Sequence, residues 1–152
     1  MSKIFSKYMS VAKTVGHGEV SDITELPTSW LMEEDIEIVG YNLSAFCASQ
    51  SQNDGQTRCH VALSQDGGFA NTGFIAFGGG LENWNTTPAF GFQDNINKEA
   101  FYPAGDRIQV REEGHIYLGM FVECADKTAG TTRWEARAVI FYTKKSNQKG
   151  NR

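Results

Sequence analysis

Three histidines, His17, His60 and His115, and three cysteines, Cys47, Cys59 and Cys124, are the residues best suited to hold a metal or act as a nucleophile. Their spacing does not assemble them. Cys59 and His60 are adjacent, and neighbouring side chains of a strand leave on opposite faces, so the two cannot grip one ion. The run Ser49 to Gln56 is polar and reads as a hairpin loop, with Asn53-Asp54-Gly55 as its turn. That hairpin would bring Cys47 opposite Cys59 as a cross-strand thiol pair. The plainer expectation is three reduced thiols packed as small hydrophobes, because an odd, small number of cysteines is no disulfide framework.

The carboxylates Glu33-Glu34-Asp35 and Glu112-Glu113 fall at strand entrances and turns. Solvated charges there guard an edge against stray strand pairing. Gly78-Gly79-Gly80 lacks the Lys-Ser/Thr that completes a phosphate loop, so it reads as a turn. A cupin-like metalloenzyme needs a His-x-His pair, a later Glu, and a Pro-x-Gly turn followed by His. Pro103-Ala104-Gly105 supplies the turn, but Ile108 stands where the last His is wanted and the His-x-His pair is missing. Three scattered histidines do not make a facial triad without carboxylate help. The sequence therefore offers no catalytic residue, no metal ligand and no cofactor site, and the expectation is a protein that is not an enzyme.

The elements that would position any site are strands. Ile36 and Ile38, with the run continuing through Leu43, Ala45, Phe46 and Cys47, mark a long first strand, or a strand with a bulge where the alternation slips at Gly40. Cys59, Val61 and Leu63 share one face of the next. Phe74-Ile75-Ala76-Phe77 is a short apolar strand closed by the three glycines, and residues 81–100 read as irregular. Ile116, Leu118, Met120, Val122 and Cys124 alternate on one face, as do Trp134, Ala136, Ala138, Ile140 and Tyr142. Strand signals about every ten residues, with no strong helix between them, predict an all-β antiparallel sandwich of the jelly-roll kind over residues 28–145.

The two ends differ. Ile4, Phe5, Tyr8, Met9 and Val11 fall near helical spacing before Gly16-His17-Gly18, so residues 1–27 read as an arm and connector outside the sandwich. Residues 146–152 read as a frayed polar tail. Ile4, Phe5, Tyr8 and Met9 on the arm, and Phe74, Phe77, Trp84, Phe90 and Phe92 near glycine-rich or irregular stretches, are the candidate partner-binding residues.

Ten Phe, five Tyr and three Trp against 21% charged residues argue for a folded chain, and 152 residues suffice for one core. A net charge of −4 argues against general nucleic-acid binding, although a deficit this small leaves room for a local basic patch. Lysines at 3, 7 and 13 interrupt every apolar run near the start, which predicts no signal peptide and no membrane segment.

The segment from Phe101 to Cys124, beginning Phe-Tyr-Pro-Ala-Gly-Asp-Arg-Ile, resembles the late hairpin of small jelly-roll virion proteins. These are the head decoration, cement and fibre-head modules of tailed phages and related viruses. Glu34 to Gly40 is similar to their first long strand, and tumour-necrosis-factor-like jelly rolls share the habit. The resemblance implies a virion structural protein on a capsid surface, made in the host cytoplasm, with the capsid shell protein and itself, as a homotrimer, for partners. The alternative is a carbohydrate- or receptor-binding sandwich whose partner is a glycan. Neither reading involves a cofactor.

Overall fold

A computed structural model describes residues 3–50, 55–84, 92–94, 96–124 and 130–145. The described residues form eleven strands: β1 (Phe5–Gly16), β2 (Val20–Ser21), β3 (Thr28–Leu31), β4 (Ile36–Gln50), β5 (Gly55–Ser64), β6 (Phe74–Trp84), β7 (Phe92–Asp94), β8 (Ile96–Phe101), β9 (Ile108–Val110), β10 (His115–Cys124) and β11 (Thr131–Lys144). One sheet has the order β1-β11-β4-β8, with β9 also on β4. The other has the order β2-β10-β5-β6-β7, with β3 also on β10. The partners nest: β1 takes β11, β2 and β3 take β10, β4 takes β8 and β9, and β5 takes β6. A long antiparallel hairpin rolled on itself has this nesting, and the two sheets it makes face each other as a jelly roll.

Alternation places the core. Met9, Val11 and Val15 of β1, Ile36, Ile38, Leu43 and Ala45 of β4, and Trp134, Ala136, Ala138 and Ile140 of β11 point inward from the first sheet. They meet Cys59, Val61 and Leu63 of β5 and Ile116, Leu118, Met120 and Val122 of β10. Inward positions on β4 change from even to odd numbers because Phe141 pairs with Gly40 and Tyr142 with Ile38. Val39 is left over as a bulge, one residue before the expected place. Trp134, fully buried, donates from Nε1 to Thr57 Oγ1 at 3.0 Å, and Thr57 donates to the Glu123 carbonyl at 3.0 Å. Each buried polar atom in this chain of bonds thus finds a partner.

Four sequence expectations are corrected. Residues 5–16 are no arm: they form β1, paired to β11 from Phe5↔Tyr142 to Gly16↔Thr131. Helical spacing misleads there because two inward positions carry lysine. Lys13 is nonetheless buried, its ammonium donating to the Asp22 carbonyl. The glycines 78–80 do not close a strand. β6 passes through them, and Gly78 lets the sheets approach, since a Cβ there would lie 2.5 Å from Ile96 Cγ2 of β8. Within 81–100 the described residues form the end of β6, all of β7 and most of β8 rather than irregular chain, while 85–91 and 95 lie outside the described residues. Finally, β4 and β5 are not a hairpin. β4 already has β11 on one side and β8 and β9 on the other, so the chain crosses to the second sheet. Cys47 therefore pairs with Trp134 and Cys59 with Val122, and no disulfide joins any two of the three cysteines.

Candidate functional site

The outer face of the six-stranded sheet is aromatic. Register sets Phe121 of β10 beside His60 of β5, and His60 beside Gly79 of β6, one strand further on. The rings form a line across three strands. Phe121 and His60 stack at 5.4 Å, His60 and Phe77 meet at 5.5 Å, and Phe77 stacks on Phe74 at 5.6 Å. Gly79 has no side chain to interrupt this line; a Cβ there would sit 3.3 Å from His60 Cδ2.

Two loops complete the rim. In the 65–73 loop Asp66 accepts from the backbone N–H of Ala70 at 2.9 Å and of Gly68 at 3.1 Å. These bonds, Ala70 first, hold the Asp66 carboxyl below the usual carboxylate range. They close a tight turn that puts Phe69 at a φ of 56°, a left-handed conformation that large side chains avoid, and lay its ring on the sheet. From the other side comes Ile23, whose carbonyl also reaches Gly119. Ile23, His60, Phe69, Phe74, Phe77 and Phe121 then enclose an open basin of about 410 Å³. Its walls are apolar apart from the His60 ring. Such a basin can bury an apolar group, but it brings no set of polar atoms to bear on a reacting bond. Among the described residues no group of three or more His, Cys, Asp or Glu is arranged to hold a metal ion.

Of the candidate residues, Phe74 and Phe77 lie in this line, Phe77 at 47% exposure. Phe90 and the side chains of Trp84 and Phe92 lie outside the described residues. Ile4 and Tyr8 are exposed, Phe5 stacks on Tyr142 at 5.6 Å, and Met9 is buried in the core, out of a partner's reach. Sequence reasoning missed His60, Phe69, Phe121 and Ile23. His60 and Phe121 carry a signal: each falls between inward residues, so alternation sends it to the outer face. Phe69 and Ile23 carry none, because only tertiary folding brings their loops over the sheet.

No protein-family model and no curated protein matches the chain. Among solved structures it is similar to a chain from infectious bursal disease virus, Gx strain, at 11% identity and a TM-score of 0.42, covering 95% of this chain and 33% of that one. It is similar to a decameric BFDV capsid protein at 10% identity and a TM-score of 0.39, covering 93% and 100%. The infectious bursal disease virus VP2 subviral particle matches at 10% identity and a TM-score of 0.41, covering 97% and 34%. The chain spans about a third of the length of the infectious bursal disease virus chains.

Proposed function

We propose that this chain is a virion structural protein that decorates or cements a capsid shell, working through surface contacts and self-association as a homotrimer. The observation that supports the reading most is the aromatic face of the six-stranded sheet. Contiguous apolar surface of this kind, with few polar groups in it, marks a protein contact more readily than a site of chemistry. The jelly-roll winding agrees with the decoration and cement proteins that residues 101–124 resemble. On this reading Phe77 and Phe74 are the anchors of the self-interface, and Ile4, Phe5 and Tyr8 belong to a second contact.

Light scattering at micromolar concentration tests the self-association. The expected result is a trimer mass for the wild-type chain and a monomer mass for Phe77→Ser with an unchanged fold. A wild-type monomer across all concentrations overturns it. A particle reconstruction tests the location: density for the chain on the outside of a separate shell supports decoration, and a shell built of this chain itself refutes it.

A further inference from the structure

The second cavity of the molecule lies at the pole where β1 begins and β11 ends, and nothing in the reading above uses it. It holds about 290 Å³ and is lined by Lys7, Trp30, Glu33, Glu34, Tyr142 and Lys144, among others. Trp30 comes from β3 in one sheet and Tyr142 from β11 in the other. Their rings meet at 5.0 Å and an interplanar angle of 59°, making a two-ring wall where the sheets converge. Phe5 stacks on Tyr142 at 5.6 Å. Three ammonium groups lie over rings at this pole: Lys7 Nζ is 5.6 Å from the centre of Trp30, and Lys144 and Lys3 Nζ are 4.5 and 5.3 Å from that of Phe5; of these, Lys7 and Lys144 line the cavity. Contacts of that kind are weak at exposed sites, so either lysine can turn to a stronger acceptor. Glu33 and Glu34 of the β3–β4 connection line the same cavity, Glu34 close enough to Tyr142 to add to burial in raising its hydroxyl pKa.

The wall, the two cations and the two carboxylates limit what fits. A phosphodiester chain would satisfy the lysines but would bring repeated negative charge against Glu33 and Glu34. A neutral sugar would leave both lysines unused. One pyranose ring carrying one carboxylate uses every group. Its carboxylate accepts charge-assisted bonds from Lys7 and Lys144, its hydroxyls donate to Glu33 and Glu34, and its apolar face lies on Trp30 and Tyr142. The cavity is the size of one such ring and sits near the small end of ligand sites. We propose that this polar pocket binds a single carboxylate-bearing sugar, a uronic or a sialic acid. The proposal is independent of self-association through the aromatic sheet face.

Nuclear magnetic resonance titration of the whole chain at fixed ionic strength tests it. The probes are sodium glucuronate, N-acetylneuraminic acid, methyl glucoside, sodium acetate and a short single-stranded oligonucleotide. The expected result is saturable shifts of the Trp30 indole with one or both acids at a Kd on the order of 1 mM. Methyl glucoside and acetate should bind at least about tenfold more weakly. Which acid binds more tightly tells whether a uronate or a sialate is the source. The Lys7→Gln, Lys144→Gln double variant should lose at least about tenfold in affinity for the acid. Its melting temperature should match wild type, because both side chains are only partly buried. No saturation by either acid up to about 10 mM overturns the proposal. So does equal or tighter binding of the glucoside, acetate or oligonucleotide, or undiminished affinity in the folded double variant. None of these results bears on the oligomer mass that tests the sheet-face reading.

Discussion

The ring of Phe69 occupies the space that a side chain at position 119 would need. A Cβ built on Gly119 would overlap Phe69 Cζ and come within 2.9 Å of the Ile23 carbonyl oxygen. Gly119 lies in the middle of β10, a place where glycine ordinarily weakens a strand. Here it provides the floor on which both rim loops rest.

The first prediction follows from that contact. Gly119→Ala should destabilise the protein by about 1–3 kcal/mol, the usual cost of forcing extra volume into a packed site. Gly105 is the control: nothing lies within 4 Å of a Cβ there, so Gly105→Ala should melt close to wild type. Urea unfolding of the two variants checks this, and equal midpoints would sink it.

The second prediction separates the two faces of β1. Met9 is 3% exposed and Tyr8 57% exposed. Met9→Ala should cost about 2–5 kcal/mol, and Tyr8→Ala should stay within about 0.5 kcal/mol of wild type. Removing residues 1–15 altogether should abolish the cooperative thermal transition followed by circular dichroism, because β11 would lose its partner along one whole edge. A deletion that melts like wild type would return this segment to the status of an arm.

This strand also shows what the sequence could convey. β4, β5, β10 and β11 were legible because their inward residues are apolar with hardly a break, so period two stands out. In β1 the inward positions run Phe5, Lys7, Met9, Val11, Lys13, Val15. Two lysines break that pattern, and Ile4, Phe5, Tyr8 and Met9 then fit a helical period equally well. Lys13 can be buried only because the Asp22 carbonyl of the following connector receives its ammonium, a tertiary fact that no local pattern carries. Four of the six basin residues were missed, and two of these, Ile23 and Phe69, were hidden for the same reason. Phe74 and Phe77 stand out in sequence, but Phe69 joins them through a left-handed turn, and His60 and Phe121 join through strand register.

The third prediction concerns alkaline pH. Burial pushes the Cys59 thiol from 9.0 up to about 12, with the nearby Lys13 ammonium opposing in part. Between those values the unfolded chain gives up a proton that the folded chain keeps, so stability present below pH 9 is lost as pH rises toward 12. Burial raises Tyr102 and Tyr142 as well, which adds to the loss at the upper end. Burial lowers Lys13, against the pull of Glu25 and Asp22, so this group alone favours the folded state as pH climbs toward 10.5. The net expectation is a falling urea midpoint above pH 9, with a shallower fall in Cys59→Ala. Identical slopes in the two proteins would refute the assignment to Cys59.

The fourth prediction tests the bond between the sheets. Trp134→Phe keeps most of the ring but removes the donor to Thr57 Oγ1. A cost of about 1–3 kcal/mol is expected, combining the lost bond with the small void left by the missing ring atoms. Thr57→Val in the same background should add less than it does alone, since the two substitutions break a shared bond. Additive costs in a double-mutant cycle would show that the pair is not coupled.

The nesting of the strands has a consequence for the order in which the molecule is made. β11 lies between β1 and β4, yet it comes after all the other described strands in chain order. Until residues 131–144 clear the ribosome, β1 lacks its partner β11, and one edge of β4 stays open. Translation can therefore finish the β5–β6 pairing early, while the core stays open along one side. β11 acts as a late-arriving clasp, so a chain truncated before Thr131 should be released as an aggregation-prone fragment rather than as a smaller domain.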